Sequence, residues 1–303
     1  MERISTFNIN TMSIGGALKV QSEWAKAEMQ QSSGLVSQNF IGLSTDSRTV
    51  LSLSREIEQA QSWAAAATDA QGRTEVMYSA IGAMTDLMTN LRTTISAAIS
   101  SPDNSSLLKA AQTMKDSLLS QMNKQYNGLH LFAGSNTDEA PVDVSSYPSS
   151  SPYDATVADT SYYTGDDTTL SVRISSEQTV SYGVTANNPA FEKALRAVEA
   201  VIQAATSSST GLTAALQSAL TVANQATTEL SNLQADVSIS ASSLKNAATA
   251  QTTYVTLLKT SLSDVKNVDA AEVAVRVATL QTQLTASYSA VSDIAKMSLV
   301  KFL

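Results

Sequence analysis

The 303-residue chain is 43 % apolar, 5 % aromatic and 15 % charged, with no cysteine, one histidine, a net charge of -8 and a pI near 4.7. Its charged share falls well below the roughly 25 % of ordinary soluble domains, which suits helices packed on helices and disfavours a solitary charged rod. The acidic balance with scattered Lys and Arg offers no track for phosphate and argues against nucleic-acid binding, and the lack of cysteine removes disulfide staples, thiolate metal sites and cysteine nucleophiles.

Met1 to Asn10 lacks the apolar run of a secretory signal, and no apolar run anywhere approaches a membrane span. The sequence therefore predicts no membrane partner, and a chain that either stays inside the cell or leaves it without a cleaved signal.

In chain order, Ala17, Val20, Trp24 and Ala27 step by three, four and three and predict a first helix, which Ser32, Ser33 and Gly34 interrupt. After Gly42 a heptad pattern begins. Val50, Leu53, Ile57, Ala60, Ala64 and Ala67 alternate three and four, the phase slips near Gly72, and Met77, Ile81, Met84, Met88, Leu91, Ile95 and Ala98 resume it. This predicts one helix of about fifty residues, with the methionines as core filler, since no histidine or cysteine accompanies them.

Ser100, Ser101, Pro102, Asp103 and Asn104 read as a turn. A returning helix follows from about Asp103, with Leu107, Ala111, Met114, Leu118 and Met122 on its covered face. Asn127 and Gly128 read as its left-handed stop.

Between Gly134 and Pro189 helical periodicity vanishes. Leu170, Val172 and Ile174 share one face, Val180, Tyr182 and Val184 another, and Ser175 to Gln178 read as the turn of a hairpin. Asn187, Asn188 and Pro189 then open a helix to about Ala205 with Phe191, Leu195, Val198 and Ile202 on one face. Ser207 to Gly211 break it. A long helix with Leu216, Leu220, Ala223, Leu230, Leu233, Val237 and Leu244 runs towards Leu258, and Ser261 to Val268 read as the link to the last helix.

Asp269 and Glu272 are spaced as a helix cap with a returning carboxylate. Beyond them Val273, Val277, Leu280, Leu284, Tyr288, Val291 and Ala295 make two eleven-residue units, a nearly straight stripe that wants a partner of similar length. The helix ends in Met297, Leu299, Val300, Phe302 and Leu303, an apolar cluster that something must cover.

The predicted fold is mainly α with a small β insertion: a long antiparallel helical bundle or coiled coil made of both chain ends, carrying a central antiparallel β domain. The expected divisions are 1–43 and 263–303 as the two halves of a terminal helical domain, 44–134 and 187–262 as the bundle helices, and 135–186 as an inserted β-rich outer domain.

Chemistry is sparse in this sequence. His130 is the single histidine, so a histidine metal cluster cannot be built, and its place in Leu129-His130-Leu131-Phe132 suits a structural or solvated role. Gly165, Asp166 and Asp167 read as a turn, since one carboxylate pair lacks the oxygens of a calcium site. No phosphate loop or dinucleotide fingerprint occurs. No catalytic residue, cofactor or metal is predicted.

Several stretches resemble the bacterial flagellin family, and within it the hook-associated branch that joins hook to filament. They are Arg3-Ile4-Ser5-Thr6 at the opening, Ser33-Gly34-Leu35 at the first break and Val268-Asp269-Ala270-Ala271-Glu272 before the last helix. Gln125-Tyr126-Asn127-Gly128, Leu131-Phe132-Ala133-Gly134-Ser135, Ala140-Pro141 and Tyr163-Thr164-Gly165-Asp166 are similar to that branch's passage into its β domain, and Ser298-Leu299-Val300-Lys301-Phe302-Leu303 to its ending. One segment departs: Gly42-Leu43-Ser44-Thr45-Asp46-Ser47 stands where the family usually has an acidic-proline motif.

The resemblance implies an extracellular axial component of the flagellum, exported without a cleaved signal and without enzymatic activity. It implies itself, hook-associated proteins and flagellin as partners, and an export chaperone on the carboxyl-terminal helix. The expected assembly interface is Ile4, Ile14, Leu18, Leu280, Leu284, Tyr288, Val291, Ile294 and Leu299, all acting by packing. A filament flagellin and a sensory coiled coil are the alternatives.

Overall fold

The computed structural model describes residues 6–101, 104–150, 153–206 and 211–300. Among the described residues six helices carry the chain: α1 (Thr6–Ser33), α2 (Ser47–Ser100), α3 (Asn104–Met122), α4 (Pro189–Thr206), α5 (Leu212–Lys266) and α6 (Ala270–Val300), with a 3-10 turn at Phe40–Asp46. Two antiparallel hairpins complete it: β1 (Gln125–Tyr126) with β2 (Leu129–His130), and β3 (Ser171–Arg173) with β4 (Thr179–Ser181). The mainly helical architecture with a small β insertion is the one the periodicity predicts. The chain divides into two compact units, Met1–Gln59 with Tyr254–Leu303, and Ala60–Thr253; the boundary falls inside α2 and α5.

In the first unit α1 packs along α6. Their junction is stitched where both helical runs break. Gly34, at φ +71°, ends α1 as a left-handed residue, a conformation that costs glycine little. Leu35 then forms an antiparallel bridge with Asn267, Val36 N donates to Lys266 O at 2.8 Å, and Val268 N donates to Gly34 O at 3.0 Å. Since α1 ends and α6 begins at this bridge, the two helices run antiparallel.

Asp269 caps α6 as its position predicts, with Oδ1 accepting from Ala271 N at 2.8 Å and Glu272 N at 3.2 Å. Glu272 is engaged by Arg276 at 2.6 Å, one turn along the helix. The link into α6 is shorter than Ser261 to Val268: α5 continues through Lys266, because nothing in that stretch removes a donor or forces a left-handed residue. Leu43, Val50, Ile57, Val255 and Leu258 are buried around the start of α2 and the end of α5.

The second unit is built on the heptad face of α2. Met77, Ile81, Met84, Met88, Leu91 and Ile95 are fully buried, in one cluster with Leu107, Ala111, Leu118 and Met122 of α3 and with Leu216, Leu230 and Val237 of α5. Near Gly72 the helix does not break; burial continues through Ala70, Thr74 and Met77, and Thr74 Oγ1 returns to Ala70 O at 2.7 Å. Gly72 is small because Tyr126 lies against it: a Cβ there would stand 2.6 Å from the Tyr126 hydroxyl.

Asn127 and Gly128 do not stop α3, which ends at Met122. At φ 51° and 81° they form the two-residue turn of the β1–β2 hairpin. Asn-Gly serves both purposes, and the short flanking strands, two residues each, leave no alternation by which sequence could tell them apart.

The second hairpin pairs Val172 with Val180, as the alternation predicts. Its covered face, with Ile174 and Tyr182, packs on Ala67, Ala70 and Leu244. α4 departs from its one-faced pattern: Phe191, Leu195 and Val198 are buried, but so are Glu192, Arg196 and Glu199. Lys115 meets Glu199 at 2.8 Å, and Arg196 Nε lies 3.0 Å from Glu192 Oε1.

Ala is worth about 1 kcal/mol more than Gly within a helix, yet Gly72→Ala should lower the melting temperature of the second unit, because the added methyl meets Tyr126. In a Tyr126→Ala background the same change should raise it. Thermal melts of the four proteins check the sign reversal.

Candidate assembly surface

α1 and α6 cover one stripe of each other. On α1 that stripe is Ala17, Val20, Trp24 and Ala27, with Ala17 5 % and Ala27 2 % exposed; on α6 it is Val273, Val277, Leu280 and Leu284, with Val273 3 % and Leu280 8 % exposed. Alanines at the contact allow close approach, because interaxial distance follows side-chain size.

Other large apolar residues of α1 are left exposed. Met12 is 76 % exposed, Ile14 43 %, Leu18 59 % and Met29 58 %, and on α6 Val275 and Tyr288 are also exposed. Large apolar side chains left in water on neighbouring helices mark a surface that another body covers.

The nine residues expected at the interface therefore fall on two faces. Leu280 is buried, and Leu284 and Val291 are half-buried, on the stripe turned to α1. Ile14, Leu18 and Tyr288 lie on the open side. Ile4 and the side chains of Ile294 and Leu299 lie outside the described residues, as do Arg3, Pro102, Asp103, Ser207 to Thr210, Phe302, Leu303 and the side chains of Met297 and Val300. Spacing along a helix does not say which stripe meets the chain's own partner, and exposed Met12, Met29 and Val275 lie outside the nine.

His130 and Asp166 are committed to structure. His130 is buried in β2, with Nδ1 3.1 Å from Asn123 O and Nε2 2.9 Å from the Gln125 amide, while its carbonyl accepts from Arg73 Nη2 at 2.8 Å. Asp166 accepts from the Ser135 hydroxyl, from Ser135 N and from Thr168 N. These bonds hold its carboxyl well below the usual range. Burial pushes Glu192 up, against the Asp159 amide and Arg196 that favour its charged form. Burial likewise raises Tyr163, to about 12. Among the described residues no group of three or more His, Cys, Asp or Glu could hold a metal ion, and no helix is long and apolar enough to cross a membrane.

Two family models meet this architecture at its two ends. The bacterial flagellin N-terminal helical region matches residues 4–137, and the bacterial flagellin C-terminal helical region matches residues 220–303. The chain belongs to the bacterial flagellin family.

Like other members it is a structural subunit of the bacterial flagellum. Its fold is similar to that of a candidate flagellar hook-associated protein from Vibrio parahaemolyticus, at a TM-score of 0.58 and 14 % identity over 72 % of this chain and 96 % of that one. The FlgL protein of Bacillus cereus follows at 0.55 and 12 %, over 71 % of this chain and 99 % of that one. Flagellar hook-associated protein 3 of Legionella pneumophila stands at 0.54 and 13 %, over 70 % and 98 %. No curated protein matches the flagellin-family chain in sequence.

Leu280→Ala should weaken the α1–α6 pairing by about 2–5 kcal/mol, the usual cost of emptying a buried leucine site. Leu18→Gln should change the stability of the free chain by no more than about 0.5 kcal/mol. Denaturant unfolding followed through Trp24 fluorescence in a Trp63→Phe background reads both.

Proposed function

We propose that this flagellin-family subunit forms the junction between hook and filament, polymerising through the paired α1 and α6. The observation that carries the reading is the set of large apolar side chains that the pair leaves exposed, Met12, Ile14, Leu18 and Tyr288 among them. The fold shared with hook-associated proteins over most of their length supports the junction rather than the shaft.

In this reading Leu280, Leu284 and Val291 hold the two helices together. Ile14, Leu18 and Tyr288, with Ile4, Ile294 and Leu299 nearer the chain ends, meet copies of the chain and the neighbouring hook-associated proteins and flagellin. The protein works outside the cell without catalysis, and before export a chaperone covers the apolar carboxyl-terminal helix.

Deleting the gene tests the proposal. Cells should carry hooks without filaments and release flagellin into the medium, and a labelled chain should mark one short band at the hook's tip. Filaments of normal length in the deletion strain, or label along the whole shaft, would overturn the junction role.

A further inference from the structure

The 3-10 turn Phe40–Asp46 lies where the sequence leaves the acidic-proline pattern of the flagellin family, and it holds large apolar side chains in water. Phe40 is 58 % exposed and Ile41 91 %. The turn is pinned rather than loose. Asn39 Oδ1 accepts from Gly42 N at 3.1 Å, the Ser47 hydroxyl closes onto Phe40 O, and Leu43 is buried beneath as an anchor. Gly42 leaves room for the Ser37 side chain, which a Cβ would strike.

Just before this turn, a cavity of about 210 Å³ opens at the end of α1, lined by Lys26, Met29, Gln30, Leu35, Val36 and Asn39 among others. An apolar cavity of about 150 Å³ accepts a benzene ring, so this one has room for the ring of Phe40. Met29, with its flexible thioether, can adapt to an incoming side chain. Neither Phe40 nor Ile41 lines the cavity of its own chain.

Charge indicates the occupant. Lys26 at the cavity and Asp46 at the end of the turn are both exposed, and neither joins an ion pair within the described residues. An apolar knob followed by a free carboxylate complements a cavity in which Met29, Leu35 and Val36 lie among polar side chains beside a free ammonium.

We infer that the Phe40–Asp46 turn of one copy docks into the Lys26–Asn39 cavity of a second copy, with Asp46 reaching Lys26. The inference rests on the assembly reading above and supplies it with a specific contact. Where the knob of each copy enters the cavity of a different neighbour, the contact is heterologous and extends into a ring or helical array.

The absence of cysteine gives a cross-linking test a clean background. Purified full-length Met29→Cys and Ile41→Cys chains are mixed at high concentration with a short bis-maleimide. The mixture should yield cross-linked dimer several-fold faster than either variant alone. Lys26→Glu in the Met29→Cys chain should abolish the difference, and Asp46→Lys in its partner should restore it.

Equal rates in the mixture and the single variants, or a yield indifferent to both charge changes, overturns the contact. So does cross-linking, in intact flagella built from a chain carrying both Met29→Cys and Ile41→Cys, to a different axial protein with none between copies. Because the first readouts use the purified chain, they separate from the gene deletion: charge-reversal rescue with normal filaments in the deletion strain would sink the junction role and leave the contact standing.

Discussion

Two helices laid side by side can bury one stripe of each other and no more. In this chain the stripe is Ala17 to Ala27 against Val273 to Leu284, while Met12, Ile14, Leu18, Met29, Val275 and Tyr288 stay exposed. A helix pair of this kind gains little from its own packing, since helical stability comes chiefly from a covered face. The second unit has no such deficit, because the α2 heptad face is closed over by α3, α4 and α5. The stitch at Gly34, Leu35 and Asn267 keeps the pair in register while leaving its outer face open.

Elements whose period lies within a few turns could be read before any coordinates. The α2 methionines and the α6 stripe step regularly, and the structure buries the methionines and turns the first half of that stripe to α1. Gly34 and Asp269 were legible as punctuation because one needs a positive φ and the other offers a side-chain oxygen to free amides.

What stayed hidden depends on distant partners. Glu192, Arg196 and Glu199 give α4 an exposed-looking side, yet Lys115, 84 residues before Glu199, neutralises one of them inside the core. Asn127 and Gly128 carry the signal of both a helix stop and a hairpin turn, and strands of two residues are too short to decide between them. Short polar turns order 135–150 and 153–168, with Asp143, Asp154, Asp159 and Asp166 each accepting from a residue two positions on. Such turns have no period for a pattern to find.

The interface reading shows the same division. Spacing located the apolar stripe of α6 but could not say that Leu280 is used up within the chain while Tyr288 is left over. Hydrogen exchange of the amides in 6–33 and 270–300, compared between the free chain and assembled flagella, tests the central claim most directly. Assembly should slow exchange in both helices while leaving the α2 core positions Met77 to Ile95 unchanged; equal exchange in the two states, already as slow as that core, would contradict it.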